Sequence, residues 1–422
     1  MRYGAGCFGH VNNQSKLDEL SKFALTCLSP AFTDARKTQP LWRQSIGPKR
    51  EARVKFDIFQ MERNQTLFEN DVEINLTESG VHPWSIEDIL GEEAARDLLK
   101  QPLGYGWTDG RPDLRSNIAS WYPGATAANV LVTNGSSEAT MIALMALFEP
   151  GDAMIFALPN FMQIDGLGRA LGFDIRRLEL SGESDWQIDP ARLAKVAAGA
   201  KAIAVTNPAN PTGSVLSAAS RAALVEAAKR NDAWLMVDEI YRGGEIDGGE
   251  TETLWGSYPK VVVTSSLSKS FACPGLRLGW IVAPAEVVAS AAERQDYTTI
   301  GSGILSQILA EEVMRPETRG RLLARGRDLL RSNADLVAQW MTKHNDWSWR
   351  RPQAGGMAFL RYPLAMPSEL FSQKLREEES VFVVAGSWFG IENHIRIGIG
   401  VPTEVLRDGL ARMDRFLARH EG

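Results

Sequence analysis

Short apolar runs alternate with longer amphipathic stretches through the middle of the chain, between about residues 101 and 313. The apolar runs predict strands at Asn129–Thr133, Ala153–Ala157, Ala202–Thr206, Trp234–Asp238, Val261–Thr264 and Gly279–Ala283. Helical patterns such as Ser217–Arg230 separate these runs. Such alternation is typical of a mainly parallel sheet that helices cover on both faces. We therefore expect an α/β fold with a large domain over residues 101–315.

A second pattern begins at Pro316. It predicts a charged helix to about Thr342 and then strands near Met357–Arg361 and Ile395–Ile399, which indicate a smaller α/β C-terminal domain over residues 316–422. We expect residues 66–100 to pack on this small domain. We interpret residues 1–65 as an N-terminal extension, which is partly disordered, an arm over a neighbouring subunit, or an upstream start-codon artefact.

The run from Ser266 to Gly279 carries the strongest chemical signal in the sequence. Lys269 lies at the end of an apolar strand between hydroxyl side chains, and Arg277 follows eight residues later. A lysine amine can bond a cofactor aldehyde, while Ser266, Ser268 and Arg277 suit its phosphate, since arginine binds phosphate through two N–H groups. The alternative is a polar turn between two strands with solvated charges.

A second candidate anion site follows the strand that ends near Thr133. Gly135, Ser136 and Ser137 form a small polar turn before an apolar helical pattern through Met141. Backbone N–H groups at a helix start attract anions, and the helix dipole adds to this attraction. An ordinary helix N-cap would leave the same pattern.

Two further stretches follow strands in the same part of the chain. The loop from Asn207 to Gly213 contains two Asn-Pro pairs, which make it stiff enough to aim the Asn210 amide. Asp238 ends a buried strand, where a carboxylate is costly unless it is paired, and Tyr241 follows three residues later. A simple proline-rich turn and an N-cap aspartate are the alternatives.

In this order and spacing, the four stretches resemble fold-type I pyridoxal-phosphate enzymes of the class I/II aminotransferase family, from about Ile74 onward. The resemblance implies a large domain with a mainly parallel sheet of seven strands flanked by helices. It also implies a smaller C-terminal domain and pyridoxal 5'-phosphate as cofactor. It implies that Lys269 forms the Schiff base and transfers protons, that Asp238 pairs with the pyridine nitrogen, and that Asn210 and Tyr241 bind the phenolic oxygen. The implied phosphate site comprises Gly135, Ser136, Ser137, Ser266, Ser268 and Arg277.

The same resemblance extends to three other residues. Phe161 matches the aromatic residue that stacks on the cofactor ring, and Arg396 matches the arginine that binds the substrate α-carboxylate. Tyr105 matches a tyrosine that reaches the phosphate of a neighbouring subunit, which implies a homodimer with shared active sites. The alternatives are a buried tyrosine in a glycine-rich turn for Tyr105 and a solvent-facing strand arginine for Arg396.

The sequence departs from common aminotransferases at the expected substrate loop, Asn75–Trp84. Gly80 matches the glycine of that loop, whereas Glu78 and His82 are additions that could contact the distal group of a substrate. An acidic Glu78 would favour a basic or guanidinium side chain. A helix-capping glutamate and a loop histidine are the alternatives, and the loop loosely resembles those of arginine cyclases.

These features predict an aminotransferase that exchanges an amino group between an L-amino acid and a 2-oxo acid. A pyridoxal-phosphate lyase or cyclase acting on a polar, arginine-like amino acid is the first alternative, because it would use the same residues. Ammonia release or a cyclic product would distinguish it from amino transfer. A non-catalytic ligand sensor is the second, and it would change its absorbance with an amino acid without releasing product.

Composition agrees with a cytoplasmic enzyme. The 422-residue chain can bury a sizeable core, and its net charge of −6 argues against a nucleic-acid-binding surface. Its three cysteines lack metal-type spacing and indicate a reducing compartment, and the five histidines make no ligand pair, so we expect no metal. We also expect no membrane contact, since no apolar run is long enough to cross a bilayer.

Overall fold

The computed structural model describes residues 55–420. Most of the predicted N-terminal extension, up to residue 54, lies outside this range. The described chain begins with helix α1, Gln60–Phe68, which spans the predicted boundary at residue 65. Residues just before 65 therefore belong to an ordered element.

A seven-stranded sheet forms the centre of the large domain. Its strands are β2 (Val130–Thr133), β3 (Ala153–Leu158), β4 (Asp174–Glu179), β5 (Ala202–Thr206), β6 (Trp234–Asp238), β7 (Val261–Ser266) and β8 (Gly279–Val282), in the order β2-β8-β7-β6-β5-β3-β4. Only β8 is antiparallel to its neighbours. Since β8 lies between β2 and β7, the carboxyl ends of β2, β5, β6 and β7 lie along one edge. The predicted mainly parallel α/β sheet is confirmed.

Helices cover both faces of this sheet. They are α4 (Pro112–Ala119), α5 (Ser136–Leu147), α6 (Gln163–Ala170), α7 (Pro190–Val196), α8 (Ala218–Asn231), α9 (Ala285–Gln295) and α10 (Ile304–Val313), with α2 (Ile86–Leu90) and α3 (Glu92–Leu98) before them. One apolar cluster includes Val263 and Leu224, and a second includes Val262 and Ile142. Neighbouring strand residues thus point into opposite layers, as a doubly covered sheet requires.

Strand β4 was absent from the sequence prediction. It lies at the edge of the sheet, pairs only with β3, and buries only Leu178 among its six residues. An edge strand of this kind carries charged residues and lacks the continuous apolar run of a central strand. Hydrophobic patterning could therefore not identify it.

The smaller C-terminal lobe contains the helices α11 (Pro316–Met341), α12 (Ser368–Glu379) and α13 (Thr403–His420). Its strands are β9 (Ser348–Trp349), β10 (Met357–Arg361), β11 (Val381–Phe382), β12 (Val384–Ala385) and β13 (His394–Gly398). The four-stranded sheet has the order β12-β13-β10-β9, and β11 pairs with β1 (Ile74–Asn75). Ile74, Leu76 and Val81 pack in the core of this lobe, whereas Ile89 packs in that of the large domain. The segment before α2 thus joins the small lobe, and α2 joins the large one.

Across residues 55–420, no helix combines the length and the apolar character needed to cross a membrane.

Candidate active site

A cavity of about 390 Å³ lies where the carboxyl edge of the large sheet faces the small lobe. Its wall includes residues that follow β5, β6 and β7, the first turn of α5, Arg396 on β13, and one side of α1. Eleven of the residues predicted from the sequence line it: Glu78, Ser136, Ser137, Phe161, Asn210, Asp238, Tyr241, Ser268, Lys269, Arg277 and Arg396. The topology therefore brings together residues that are far apart in the sequence.

Asp238 ends β6 at the floor of the cavity. Its register partners are Thr206 on β5 and Thr264 on β7, so it lies between two parallel neighbours. Its carboxylate accepts a hydrogen bond from the backbone N–H of Ile240 at 3.1 Å, and a turn follows it where the N-cap alternative requires a helix. Burial raises the pKa of Asp238 to about 7. This carboxylate is therefore suited to a buried, positively charged partner.

Lys269 lies in the turn after β7, and its Nζ is 3.3 Å from Oε2 of Glu78. Burial opposes the charge on Lys269, but Glu78 and then Tyr241 outweigh this effect, so the pKa of Lys269 is raised. The nearby Lys269 lowers the pKa of Glu78. The structure thus holds a charged amine inside the cavity, next to a carboxylate.

Asn210 and Tyr241 have side-chain partners that fix their orientation. The Oδ1 atom of Asn210 accepts a hydrogen bond from Nη1 of Arg396 at 2.8 Å, which leaves the amide nitrogen as a donor. The Tyr241 hydroxyl lies 2.8 Å from the hydroxyl of Ser79. Both polar groups are therefore held in place by protein contacts at the cavity wall.

The predicted phosphate residues meet at the start of α5. Gly135 has φ +87° and precedes the helix, so the first N–H groups of α5 have no partner within the helix. A Cβ atom on Gly135 would lie 3.0 Å from Nη2 of Arg277. The Nη1 atom of Arg277 donates to the hydroxyl of Ser268 at 3.4 Å. These donors make a site for a small anion.

Ser266 has a different place from the other predicted phosphate residues. It is fully buried at the end of β7 and does not line the cavity. Its hydroxyl accepts a hydrogen bond from the backbone N–H of Ser268 at 3.2 Å. In the structure, Ser266 shapes the turn that carries Ser268 and Lys269.

Arg396 is 1% exposed, and its side chain reaches the cavity from the small lobe. Its Nη2 donates to the backbone oxygen of Thr77, whereas Nε has no partner. The alternative of a solvent-facing strand arginine is therefore wrong. Arg396 and Gly398 both face the segment 76–80, because a Cβ on Gly398 would lie 2.3 Å from the Glu78 backbone oxygen.

Phe161 lies at the cavity wall after β3. Its ring centroid is 4.9 Å from that of Phe59, at an interplanar angle of 55°. Phe59 precedes α1 and lines the same cavity. An aromatic surface is therefore available to a planar ligand.

Three predicted residues lie elsewhere. Gly80 passes close over the lysine, since an added Cβ would lie 3.1 Å from the Ser268 backbone oxygen and 3.3 Å from Cα of Lys269. His82 is exposed and outside the cavity wall, so we assign it no contact with substrate. Its backbone oxygen accepts a hydrogen bond from Arg325 at 3.0 Å. Tyr105 is 94% exposed, which rules out the buried-tyrosine alternative.

Helix α1 provides a part of the cavity wall that the sequence patterns did not predict. The cavity is lined by Glu62, Gln65 and Thr66 of this helix and by its C-cap residue, Glu69. They are spaced i, i+3, i+4 and i+7, a pattern that indicates one helix face. This signal was present in the sequence, but it crosses the boundary that we had placed at residue 65. Among residues 55–420, no cluster of His, Cys, Asp and Glu could hold a metal ion.

Comparison with known proteins agrees with this geometry. The family model described as aminotransferase class I and II matches residues 82–413. The chain belongs to the class I and II aminotransferase family. The arginine–pyruvate transaminase AruH of Pseudomonas aeruginosa is 27% identical over 359 residues, which are 82% of this chain and 90% of that protein.

Two solved structures have the same fold. A PLP-dependent aminotransferase from Streptococcus suis has a TM-score of 0.82 at 27% identity and covers 87% of this chain and 99% of its own. The PLP-dependent cyclase OrfR has a TM-score of 0.80 at 30% identity and covers 89% and 99%. The protein is thus a pyridoxal-phosphate-dependent enzyme of the aminotransferase family.

The cavity fits this cofactor. Asp238 is a buried carboxylate suited to a protonated ring nitrogen, and Arg277 lies beside the open N-terminus of α5. A Cβ on Gly279 would lie 2.5 Å from the backbone nitrogen of Ser136, so the glycine allows β8 to approach this turn. The donor set thus matches a ring nitrogen at one end and a phosphate at the other.

We expect Asp238→Asn to change the pH dependence of stability in the cofactor-free protein. Because the pKa of Asp238 is about 7 in the fold, the folded state binds more protons than the unfolded state between about pH 4 and 7, and its stability falls as the pH rises through this window. The free energy of unfolding of the variant, relative to that of the wild type, should therefore rise by about 2–4 kcal/mol from pH 5 to pH 8. Chemical denaturation at the two pH values measures this gain. Glu239, whose pKa burial also raises to about 7, remains in both proteins and so does not affect the comparison. A difference in unfolding free energy between variant and wild type that is the same at both pH values would contradict the buried state of Asp238.

Proposed function

We propose that the protein transfers the amino group of an L-amino acid to a 2-oxo acid, with the cofactor bound covalently at Lys269. The observation that carries this proposal is the meeting of Lys269, Asp238 and Arg396 at one cavity. Lys269 supplies the amine that can bond the cofactor aldehyde, and Asp238 and Arg396 have the charges that suit the ring nitrogen and a substrate carboxylate. The N-terminus of α5 and Arg277 supply donors for the phosphate, and Phe161 supplies an aromatic face.

The chain's own residues divide the work of the reaction. Pyridoxal phosphate, when bound, supplies the electron sink that accepts the pair left behind as the substrate Cα proton leaves. Asp238 keeps the ring nitrogen protonated, since a buried carboxylate is stable next to a cation. Asn210 and Tyr241 donate to the phenolic oxygen. Once the substrate amine has displaced it from the cofactor, the free Lys269 amine would take the Cα proton as a general base and later return it.

Arg396 binds the substrate α-carboxylate in this proposal. Its guanidinium is fully buried, and its Nε still lacks a partner after the bonds to Asn210 and Thr77. An unpaired N–H on a buried cation is costly, and a carboxylate would remove that cost. The contact with Asn210 also couples substrate binding to the residue that contacts the phenolic oxygen.

We also propose that two copies of the chain form a dimer with shared active sites. Large apolar side chains are exposed on two adjoining segments: Leu99, Leu103, Tyr105, Trp107, Tyr297, Ile300 and Leu305. The segments touch, since a Cβ on Gly106 would lie 3.2 Å from the Ile304 side chain and one on Gly301 would lie 2.9 Å from Cα of Thr108. An exposed apolar surface of this kind is typical of an interface. Tyr105 would reach the partner's phosphate site from it.

A lyase or cyclase acting on a basic amino acid is the second candidate. The cyclase OrfR matches this chain over 89% of its length, and the cavity carries Glu78 near the reacting amine. Both candidates use Lys269 and the same proton abstraction. Mass analysis of the products distinguishes them, because a new amino acid formed from the oxo acid supports transfer, whereas ammonia or a cyclic product supports the alternative.

The attachment of the cofactor to Lys269 gives the first test. After incubation with pyridoxal phosphate and borohydride, the wild type should gain the mass of one cofactor on the peptide that contains Lys269. Lys269→Ala should show no such gain and should lose amino transfer at least about a hundredfold, since it lacks the general base. Lys260→Ala, which removes a lysine outside the cavity, is the control and should match the wild type. A surviving adduct in Lys269→Ala would place the bond elsewhere.

The role of Arg396 predicts a loss that depends on the substrate. Arg396→Ala should lower kcat/KM for amino acids by about a hundredfold, because a charge-assisted pair with the carboxylate is lost. Amines that lack a carboxylate should change by less than about threefold. Arg396→Lys should retain the fold with part of the affinity, because lysine keeps the charge but not the planar fork. An equal loss for amino acids and amines would remove Arg396 from this role.

The dimer predicts a molecular mass of twice 46.5 kDa in sedimentation equilibrium. A Leu103→Glu/Trp107→Glu double variant should sediment as a monomer, because it adds charges to the apolar surface. If Tyr105 completes the active site of the partner subunit, the monomeric variant should also be less active than the wild type. Leu370→Glu changes an exposed apolar residue on α12 and serves as the control. A wild type that remains monomeric would contradict the shared sites.

A further inference from the structure

Helix α1 and Glu69, the residue that directly follows it, present two carboxylates to the active-site cavity. Glu62 and Glu69 are seven residues apart, which places them on one helix face, with Gln65 and Thr66 between them. All four residues line the cavity, and Glu78 lies on its wall next to Lys269. The cavity thus has an acidic side that the cofactor does not use.

The helix is firmly held, so its acidic face has a fixed position. Met61 is 3% exposed and packs in an aromatic cluster with Phe382 and Phe389. The Phe68 ring meets Phe382 edge-on at 6.2 Å, and Nε2 of Gln65 donates to the Thr77 hydroxyl at 3.0 Å. These contacts join α1 to the small lobe beside the substrate loop.

On the part of the cavity wall that the structure describes, no cation remains available to these carboxylates once the cofactor and the α-carboxylate are bound. The basic residues that line the cavity are Lys269, Arg277 and Arg396, and the proposed function assigns each to the cofactor or to the α-carboxylate. Within residues 55–420, neither Glu62 nor Glu69 has a side-chain hydrogen bond or an ion pair. Burial raises the pKa of Glu62, and burial followed by the repulsion of Glu78 and Glu62 raises that of Glu69. A cation in the cavity would lower the cost of ionising both groups.

Arg396 supplies the opposite charge on the wall of the same cavity, where it and Gln65 of α1 both donate to the backbone oxygen of Thr77. Arg396 is 1% exposed, lines the cavity and has an unpartnered Nε. A buried guanidinium with an unpartnered N–H and, among residues 55–420, no carboxylate partner indicates an anionic ligand, and this observation is independent of the acidic helix face. A ligand that satisfies both Arg396 and the acidic residues carries a carboxylate and, elsewhere in the molecule, a cation.

We propose that Glu62 of helix α1 and Glu69 at its C-cap, together with Glu78, bind the distal cation of the amino-acid substrate. The substrate class is then amino acids whose side chains end in a guanidinium or an ammonium group. This inference rests on the proposed function, because Arg396 must hold the α-carboxylate for the side chain to extend toward α1. Glu62 and Glu69 are positioned to determine specificity and are not required for proton transfer.

Two matched pairs of ligands test this proposal in the holoenzyme. L-lysine differs from L-norleucine by its ammonium group, and L-citrulline is a neutral analogue of L-arginine. We expect the charged member of each pair to bind at least about tenfold more tightly, measured as a dissociation constant from the change in cofactor absorbance. Wild-type protein that binds norleucine and citrulline as tightly as lysine and arginine would overturn the proposal.

Isosteric variants assign the effect to the helix. Glu62→Gln and Glu69→Gln should each reduce the preference for the charged ligand by about three- to tenfold, and the double variant should reduce it further. The affinity for norleucine should change by less than about threefold in all of them. Glu93→Gln, which removes an exposed carboxylate on α3, should leave the preference unchanged. A preference that persists in the double variant would show that another group binds the cation.

The result is separable from the proposed function. Loss of the borohydride adduct at Lys269 would contradict the proposed function whatever the ligand preference. A normal adduct with equal affinity for charged and neutral ligands would contradict only the role of helix α1.

Discussion

The register of three neighbouring parallel strands is the constraint on which the active site depends. Thr206 on β5, Asp238 on β6 and Thr264 on β7 are aligned in the sheet, so the loops that follow them open at the same edge. These loops carry Asn210, Tyr241 and Lys269. Because the strands are buried on both faces, a shift of one residue in their register would turn each apolar side chain toward the opposite helix layer. The packing of the apolar core therefore fixes the positions of Asn210, Tyr241 and Lys269, although these polar side chains add little to the core itself.

The small lobe completes the site through close backbone contacts. A Cβ on Gly400 would lie 1.8 Å from the Gly80 backbone oxygen, so only glycine allows this approach. The segment 76–80 is thereby pressed between the small lobe and the turn of Lys269. Arg396 bonds both this segment and Asn210 of the large domain. Its guanidinium thus links the substrate side of the cavity to the cofactor side.

The sequence alone predicted the central strands and half of the residues that line the cavity, for a physical reason. Buried parallel strands have continuous apolar runs, and polar residues directly after them must lie at one edge of the sheet. Strand β4 escaped prediction because its edge position allows charged residues along its length. Helix α1 was missed because its apolar anchors, Met61 and Phe68, are few, and because its polar face crosses the predicted boundary at residue 65. His82 was assigned to the cavity from proximity in sequence, but the chain carries its side chain away after Gly80.

A crystal structure of the holoenzyme is the most direct test of how the sheet edge holds the cofactor. Electron density should join the cofactor to Nζ of Lys269, with the pyridine nitrogen within about 3.2 Å of the Asp238 carboxylate and the phosphate at the start of α5. Density that joins the cofactor to a different lysine, or a ring nitrogen that faces away from Asp238, would contradict this arrangement.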